Sequence, residues 1–81
     1  MDASIGINAE GNKSISNIRF FTCLTIDKNC EFINCEFKKE CMFKERCKFT
    51  NCEFDANCKL VRGFEFVQCK INGILFPDFS L

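Results

Sequence analysis

Along the chain a unit of two apolar or cysteine positions flanking one variable residue recurs: IRF at 18–20, LTI at 24–26, CEF at 30–32, CEF at 35–37, CMF at 41–43 and CKF at 47–49. It continues as CEF at 52–54, CKL at 58–60, FEF at 64–66 and CKI at 69–71. The steps between units run six, six, five, three times over, so the pattern repeats every seventeen residues. Apolar, variable, apolar is the alternation of a short β-strand, whose side chains point to opposite faces with period two. Three such strands per seventeen residues, separated by two or three turn residues, describe a coil with three flat sides. Coils stacked in register pair their strands in parallel, with rungs about 4.8 Å apart. The expected fold is therefore all-β: a single-domain triangular parallel β-solenoid of four to five coils, about 20 to 25 Å tall.

In a seventeen-residue frame Ile18, Cys35, Cys52 and Cys69 form one inward column, and Phe20, Phe37, Phe54 and Ile71 another. Leu24, Cys41, Cys58 and Leu75 form a third; Ile26, Phe43 and Leu60 a fourth; Cys30, Cys47 and Phe64 a fifth; Phe32, Phe49 and Phe66 a sixth. The predicted core is Cys30, Phe32, Cys35, Phe37, Cys41, Phe43, Cys47, Phe49, Cys52, Phe54, Cys58, Phe66 and Cys69. Cysteine is small and readily buried, so it fits beside the phenyl rings where leucine would overpack. Asn17, Asn34, Asn51 and Gln68 share a column just before a strand, where asparagine tolerates turn angles and stacked amides can bond one another. The outward column Glu31, Lys48, Glu65 alternates in sign, so neighbours attract. Residues 1–17 obey the frame loosely, with Ile7, Ala9 and Ile15 on inward columns and Lys13 breaking it. The expected organisation is one domain: an irregular N-terminal coil or cap at 1–17, regular coils at 18–71, and a C-terminal cap or dimerisation segment at 72–81.

Eighty-one residues bury only a modest core, so a compact fold needs extra help, which stacked columns and coil-to-coil hydrogen bonds supply. Eleven basic residues balance eleven acidic ones, which argues against direct binding to nucleic acid or an anionic membrane. The chain shows no apolar run of membrane-spanning length, and MDASIGINAEGNKS lacks the basic and apolar regions of a secretory signal. A soluble cytoplasmic protein is the expectation. Eight cysteines would suggest disulfides in a secreted chain, but that reading weakens without the signal. From Cys30 to Cys58 the cysteine intervals are five, six, six, five and six, with no CxxC or CxC pair and no histidine, so no metal site is expected.

The NCEF units at 29–32, 34–37 and 51–54, with RCKF between them, resemble those of pentapeptide-repeat proteins, in which alanine or cysteine precedes a central leucine or phenylalanine by two positions. The resemblance covers roughly residue 18 onward and implies a β-solenoid. That family steps by five around a square coil, whereas six, six, five implies a triangle. Bactofilin-like filament proteins are similar in having triangular coils of comparable length with aliphatic interiors. Hexapeptide acyltransferases also form triangular coils, but their strict six-residue step and catalytic histidine are absent here.

Without histidine or a glycine-rich phosphate loop, the chain offers no poised acid, base or nucleophile, and neither catalysis nor a cofactor is expected. Glu36, Glu40, Glu45, Glu53 and Asp55 fall on outward or corner columns, where they are solvated charges. Cys23 occupies a corner column and should be more exposed than the other thiols. The outward columns are charged, unlike the threonine arrays of ice-binding solenoids. The apolar C-terminal stretch supplies the candidate contact or homodimer surface: Ile74, Leu75, Phe76, Phe79 and Leu81. Two functions follow as expectations. One is a non-catalytic module that binds another protein, such as a small phage- or mobile-element-type inhibitor of a nucleic-acid-handling enzyme. The other is a self-assembling scaffold of stacked, bactofilin-like solenoids.

Overall fold

The computed structural model describes residues 2–58, 64–75 and 79–80, the last pair as strand only. The strands are β1 (Ser4–Ile7), β2 (Lys13–Ser16), β3 (Arg19–Phe20), β4 (Thr25–Ile26), β5 (Cys30–Ile33), β6 (Glu36–Phe37) and β7 (Met42–Phe43). There follow β8 (Cys47–Thr50), β9 (Glu53–Phe54), β10 (Glu65–Val67), β11 (Lys70–Ile71), β12 (Ile74–Leu75) and β13 (Phe79–Ser80). They form three sheets, one per side of the solenoid. Side 1 has the order β1-β2-β5-β8-β10-β13, side 2 β12-β11-β9-β6-β3, and side 3 β4-β7.

From β2 to β11 the pairing is parallel and every register is seventeen residues. Ile15 lies beside Phe32, Cys30 beside Cys47, Phe37 beside Phe54 and Ile26 beside Phe43. Coil-to-coil backbone bonds hold that register at the corners too, as in Glu36 N–H to Ile18 O (3.0 Å), Met42 N–H to Leu24 O (2.9 Å) and Glu53 N–H to Cys35 O (3.0 Å). A β-solenoid of stacked parallel coils is thus the fold, with four parallel rungs on sides 1 and 2.

The corner between sides 1 and 2 needs a residue in the left-handed region. Asn17, Asn34, Asn51 and Gln68 occupy it with φ of 61°, 55°, 52° and 55°. Asparagine reaches this region more cheaply than other non-glycine residues. Its amide gains a second role: Asn51 Nδ2 donates to Asn34 Oδ1 at 2.7 Å, Asn34 Nδ2 to Asn17 Oδ1 at 3.3 Å, and Asn17 Nδ2 to the Asp2 carbonyl at 3.0 Å.

The interior is phenylalanine and cysteine. Phe32, Phe49 and Phe66 stack face to face at 5.3 and 5.4 Å, and Phe20, Phe37 and Phe54 at 5.1 Å each. Rings of different columns meet edge to face, Phe49 and Phe54 at 4.8 Å and Phe43 and Phe49 at 5.1 Å. Both arrangements suit the ring quadrupole. The buried set also holds Ile15, Phe64 and six thiols: Cys30, Cys35, Cys41, Cys47, Cys52 and Cys69.

Three features differ from the sequence expectation. Residues 4–16 form a hairpin, with only β2 continuing the coil stack. A type I turn closes it, with Gly11 N–H bonding Asn8 O (3.0 Å), Asn8 N–H bonding Asn12 O (2.8 Å) and Gly11 at φ 84°. Since β1 runs antiparallel to β2, Ile7 is 71% exposed. At the other end Asn72 (φ 51°) and Gly73 (φ 77°) make a two-residue I′ turn that reverses the chain after β11, so Leu75 pairs with Lys70 and leaves its expected column. Cys58, expected in the core, is only half-buried, because Leu75 no longer lies above it.

Candidate interaction surfaces

All eight cysteines are free thiols. Those lying just after the corners point their S–H groups at carbonyls. Cys52 Sγ lies 3.3 Å from Phe32 O and 3.4 Å from Thr50 O, and Cys35 and Cys69 repeat the arrangement one coil below and above. Burial pushes Cys47 and Cys58 from an ordinary 9.0 up to about 11, and it also raises Cys41 and, against the opposing pull of Lys13 and Lys28, Cys30. The thiol contact shared by Cys35 and Cys52 pushes Cys52 up and pulls Cys35 down. Cys23 is exposed at its corner. Among the described residues no group of three or more histidine, cysteine or carboxylate side chains could hold a metal ion.

The charged side chains decorate the outer faces. On side 1 Lys48 Nζ donates to Glu10 Oε1 at 2.6 Å and lies 3.9 Å from Glu65, while Ser14 Oγ donates to Glu31 at 3.5 Å. The Glu10 bond raises Lys48 above its ordinary value. Glu10 reaches Lys48 because the β1–β2 turn leans over the outer face. On side 2 Glu36 meets Lys38 at 2.7 Å and Arg19 at 3.6 Å, and the Lys38 hydrogen bond lowers the Glu36 carboxyl. Such exposed pairs contribute little to stability.

The apolar surface is concentrated at the two ends. At the C-terminal end β12 presents Ile74 and Leu75, 71% and 62% exposed. Phe76 and Leu81 lie outside the described residues, as does the side chain of Phe79. At the N-terminal end Ile5, Ile7 and Phe21 are exposed above the half-buried Ile18, Phe20, Leu24 and Ile26. A groove of about 540 Å³ opens there, floored by Ile15, Ile26 and Cys30 and rimmed by Lys13, Asp27 and Lys28. It exists because Lys13 stands in register with Cys30 yet points into solvent, leaving that column one side chain short. The N-terminal patch was missed from the sequence. Its signals were Gly11 beside Asn12, which close a hairpin, and the alternation SIGI, which needs only a partner strand to become an edge.

No helix among the described residues is long and apolar enough to cross a membrane. No protein-family model, curated protein or solved structure matches the chain.

Proposed function

We propose that this chain is a non-catalytic protein-interaction module, a small rigid prism that acts by direct contact with another protein. The observation that carries this reading is the placement of exposed apolar side chains on a terminal strand, with Ile74 and Leu75 projecting from β12 beyond the last parallel rung. A rigid scaffold that loses little conformational freedom on binding suits such a role. Zero net charge and columns of mixed sign favour a protein partner over nucleic acid. An inhibitor of a nucleic-acid-handling enzyme, working in the cytoplasm by occupying the enzyme surface and not by imitating DNA, is the specific form of this reading. The Cys-x-Phe units make it an outlying relative of the pentapeptide-repeat proteins, wound on a six, six, five step.

The test compares the wild-type chain with an Ile74→Lys/Leu75→Lys variant as immobilised bait under reducing conditions. Both positions are exposed, so the variant keeps the far-UV circular dichroism and unfolding midpoint of the wild type. The expected result is a discrete captured protein that the variant fails to retain. Identical capture by both baits would remove the C-terminal end from the interaction.

A further inference from the structure

The N-terminal end of the solenoid is uneven. Side 1 extends one rung further than sides 2 and 3, because β1 adds to β2 while β3 and β4 have nothing added before them among the described residues. The layer below the first coil therefore contains one strand where a full coil has three. In the β1–β2 pair, Ile5 stands opposite Ile15 and Ile7 opposite Lys13, so both isoleucines face the same way as the inward column of side 1. They overhang the end of the core, 65% and 71% exposed. Phe20 on β3 is stacked on Phe37 at 5.1 Å, with no further ring of its column before it.

The edge of β1 is available for pairing. Asn8 bonds Asn12 through its backbone, so the hydrogen-bonded pairs of the hairpin are Asn8–Asn12, Gly6–Ser14 and Ser4–Ser16. By the alternation of an antiparallel ladder, the backbone groups of Ile5 and Ile7 point away from β2. Four residues long, the strand carries neither charge nor proline, the usual devices that keep an edge from pairing.

We propose that this end is a two-fold contact with a second copy of the chain, in which β1 of each copy seats against β3 of the other. Directionality selects this occupant. A copy inverted by a two-fold axis perpendicular to the solenoid runs its coils opposite to the first. Because β1 runs antiparallel to its own coils, it runs parallel to those of the inverted copy and continues that copy's side 2 as one more rung. Two overhangs then supply two strands of one shared layer, and Ile5 and Ile7 of both copies fill its centre over Ile18 and Phe20. The in-out-in spacing of Ile5, Gly6 and Ile7 matches that of Ile18, Arg19 and Phe20. The same surface meets itself and closes, so assembly through this end stops at two copies.

Two measurements test it. Sedimentation velocity under reducing conditions, across about 1 to 500 µM, should show the wild type passing from one copy to two. Ile5→Lys/Ile7→Lys should sediment as one copy throughout with unchanged circular dichroism, whereas Ile74→Lys/Leu75→Lys should still pair. Cross-linking then reads the strand contact. In a Cys23→Ser background, Gly6→Cys mixed with Arg19→Cys should yield a heterodimer bridged by a short thiol-reactive bismaleimide, which spans the roughly 4.8 Å between in-register neighbours that a disulfide does not. Gly6 accommodates the change, since nothing lies within 4 Å of a Cβ built there. A wild type that stays single, pairing that survives Ile5→Lys/Ile7→Lys, or a dimer that fails to cross-link between Gly6→Cys and Arg19→Cys would each overturn the proposal.

Discussion

Replacing Phe49 separates the contribution of a stacked ring from that of mere apolar volume. Phe49 is 1% exposed, sandwiched between Phe32 at 5.3 Å and Phe66 at 5.4 Å, with Phe43 and Phe54 edge-on at 5.1 and 4.8 Å. Truncating a buried phenylalanine to alanine costs about 3 to 5 kcal/mol, more where the surroundings cannot collapse. Collapse is hindered here, since backbone hydrogen bonds fix the rungs above and below. The upper end of that range, about 5 kcal/mol, is therefore expected. A domain of this length has roughly 4 to 12 kcal/mol in total, so Phe49→Ala should leave it unfolded or marginal. Phe49→Leu keeps most of the buried area and loses the two face-to-face stacks, a cost of about 1 to 3 kcal/mol. Phe20→Leu gives up one stack at a half-buried end of its column and should cost less than Phe49→Leu. With no tryptophan or tyrosine in the chain, urea unfolding is best followed by far-UV circular dichroism under reducing conditions. Equal losses for Phe49→Leu and Phe20→Leu would refute the claim that ring stacking along the columns holds the coils together.

The corner amides and the buried thiols give two further expectations. Asn34→Ala should cost about 2 to 4 kcal/mol, combining left-handed strain at φ 55° with the loss of bonds to Asn17 and Asn51. Asn34→Gly removes only the amide bonds and should cost about half as much; equal costs in chemical denaturation would assign no strain to the corner. Stability should also fall in alkali. The buried Cys47 titrates at about 11 in the folded state against an ordinary 9.0, so below pH 9 both states hold the proton and stability is flat. Between pH 9 and 11 the unfolded chain releases a proton that the folded chain keeps, and roughly 3 kcal/mol is lost. Cys58, also raised, adds to the slope, and Cys47→Ala should flatten it when unfolding free energy is measured against pH.

The middle of the chain was legible because in-register stacking writes itself into the sequence. Each inward position has a neighbour seventeen residues on either side, so Phe32, Phe49 and Phe66 are chosen by the same surroundings. Even β2, with Lys13 in an inward column, pairs in the seventeen-residue register through Ile15 and Phe32. The ends were less legible because a terminal rung has a neighbour on one side only. Turn chemistry decides there instead, and Asn72-Gly73 reverses the chain whatever the frame assigns to Leu75. Ile74 and Leu75 were identified from their apolar character, yet spacing could not tell inward from outward once the strand direction changed. The overhanging β1 was illegible for the same reason: Ile7 falls on an inward column and Ile5 on none, and only antiparallel pairing turns both inward and leaves them uncovered.

The recurrence of cysteine two residues before phenylalanine has a cause beyond size. Cys35, Cys52 and Cys69 each lie at 3.3 to 3.5 Å from two carbonyl oxygens, one two residues back and one twenty residues back in the preceding coil. Cys47 makes a similar pair of contacts, to Glu45 O two residues back at 3.5 Å and to Lys28 O nineteen residues back at 3.8 Å. Two carbonyls converge where each corner enters a strand; Ile33 O, Thr50 O and Val67 O already accept the N–H of Asn17, Asn34 and Asn51, so the thiol adds a second, weaker donor to an oxygen with a lone pair to spare. Alanine would fill less space and donate nothing, and valine would donate nothing. Serine would donate but carry a more polar group into a phenyl-lined interior. The thiol is small, apolar enough to sit against a ring, and still a weak donor. Parallel rungs stand about 4.8 Å apart, and so do their in-register Cβ atoms, wider than the roughly 3.5 to 4.5 Å that a disulfide spans. The geometry that repeats cysteine down each column thus also disfavours bridging between neighbouring coils.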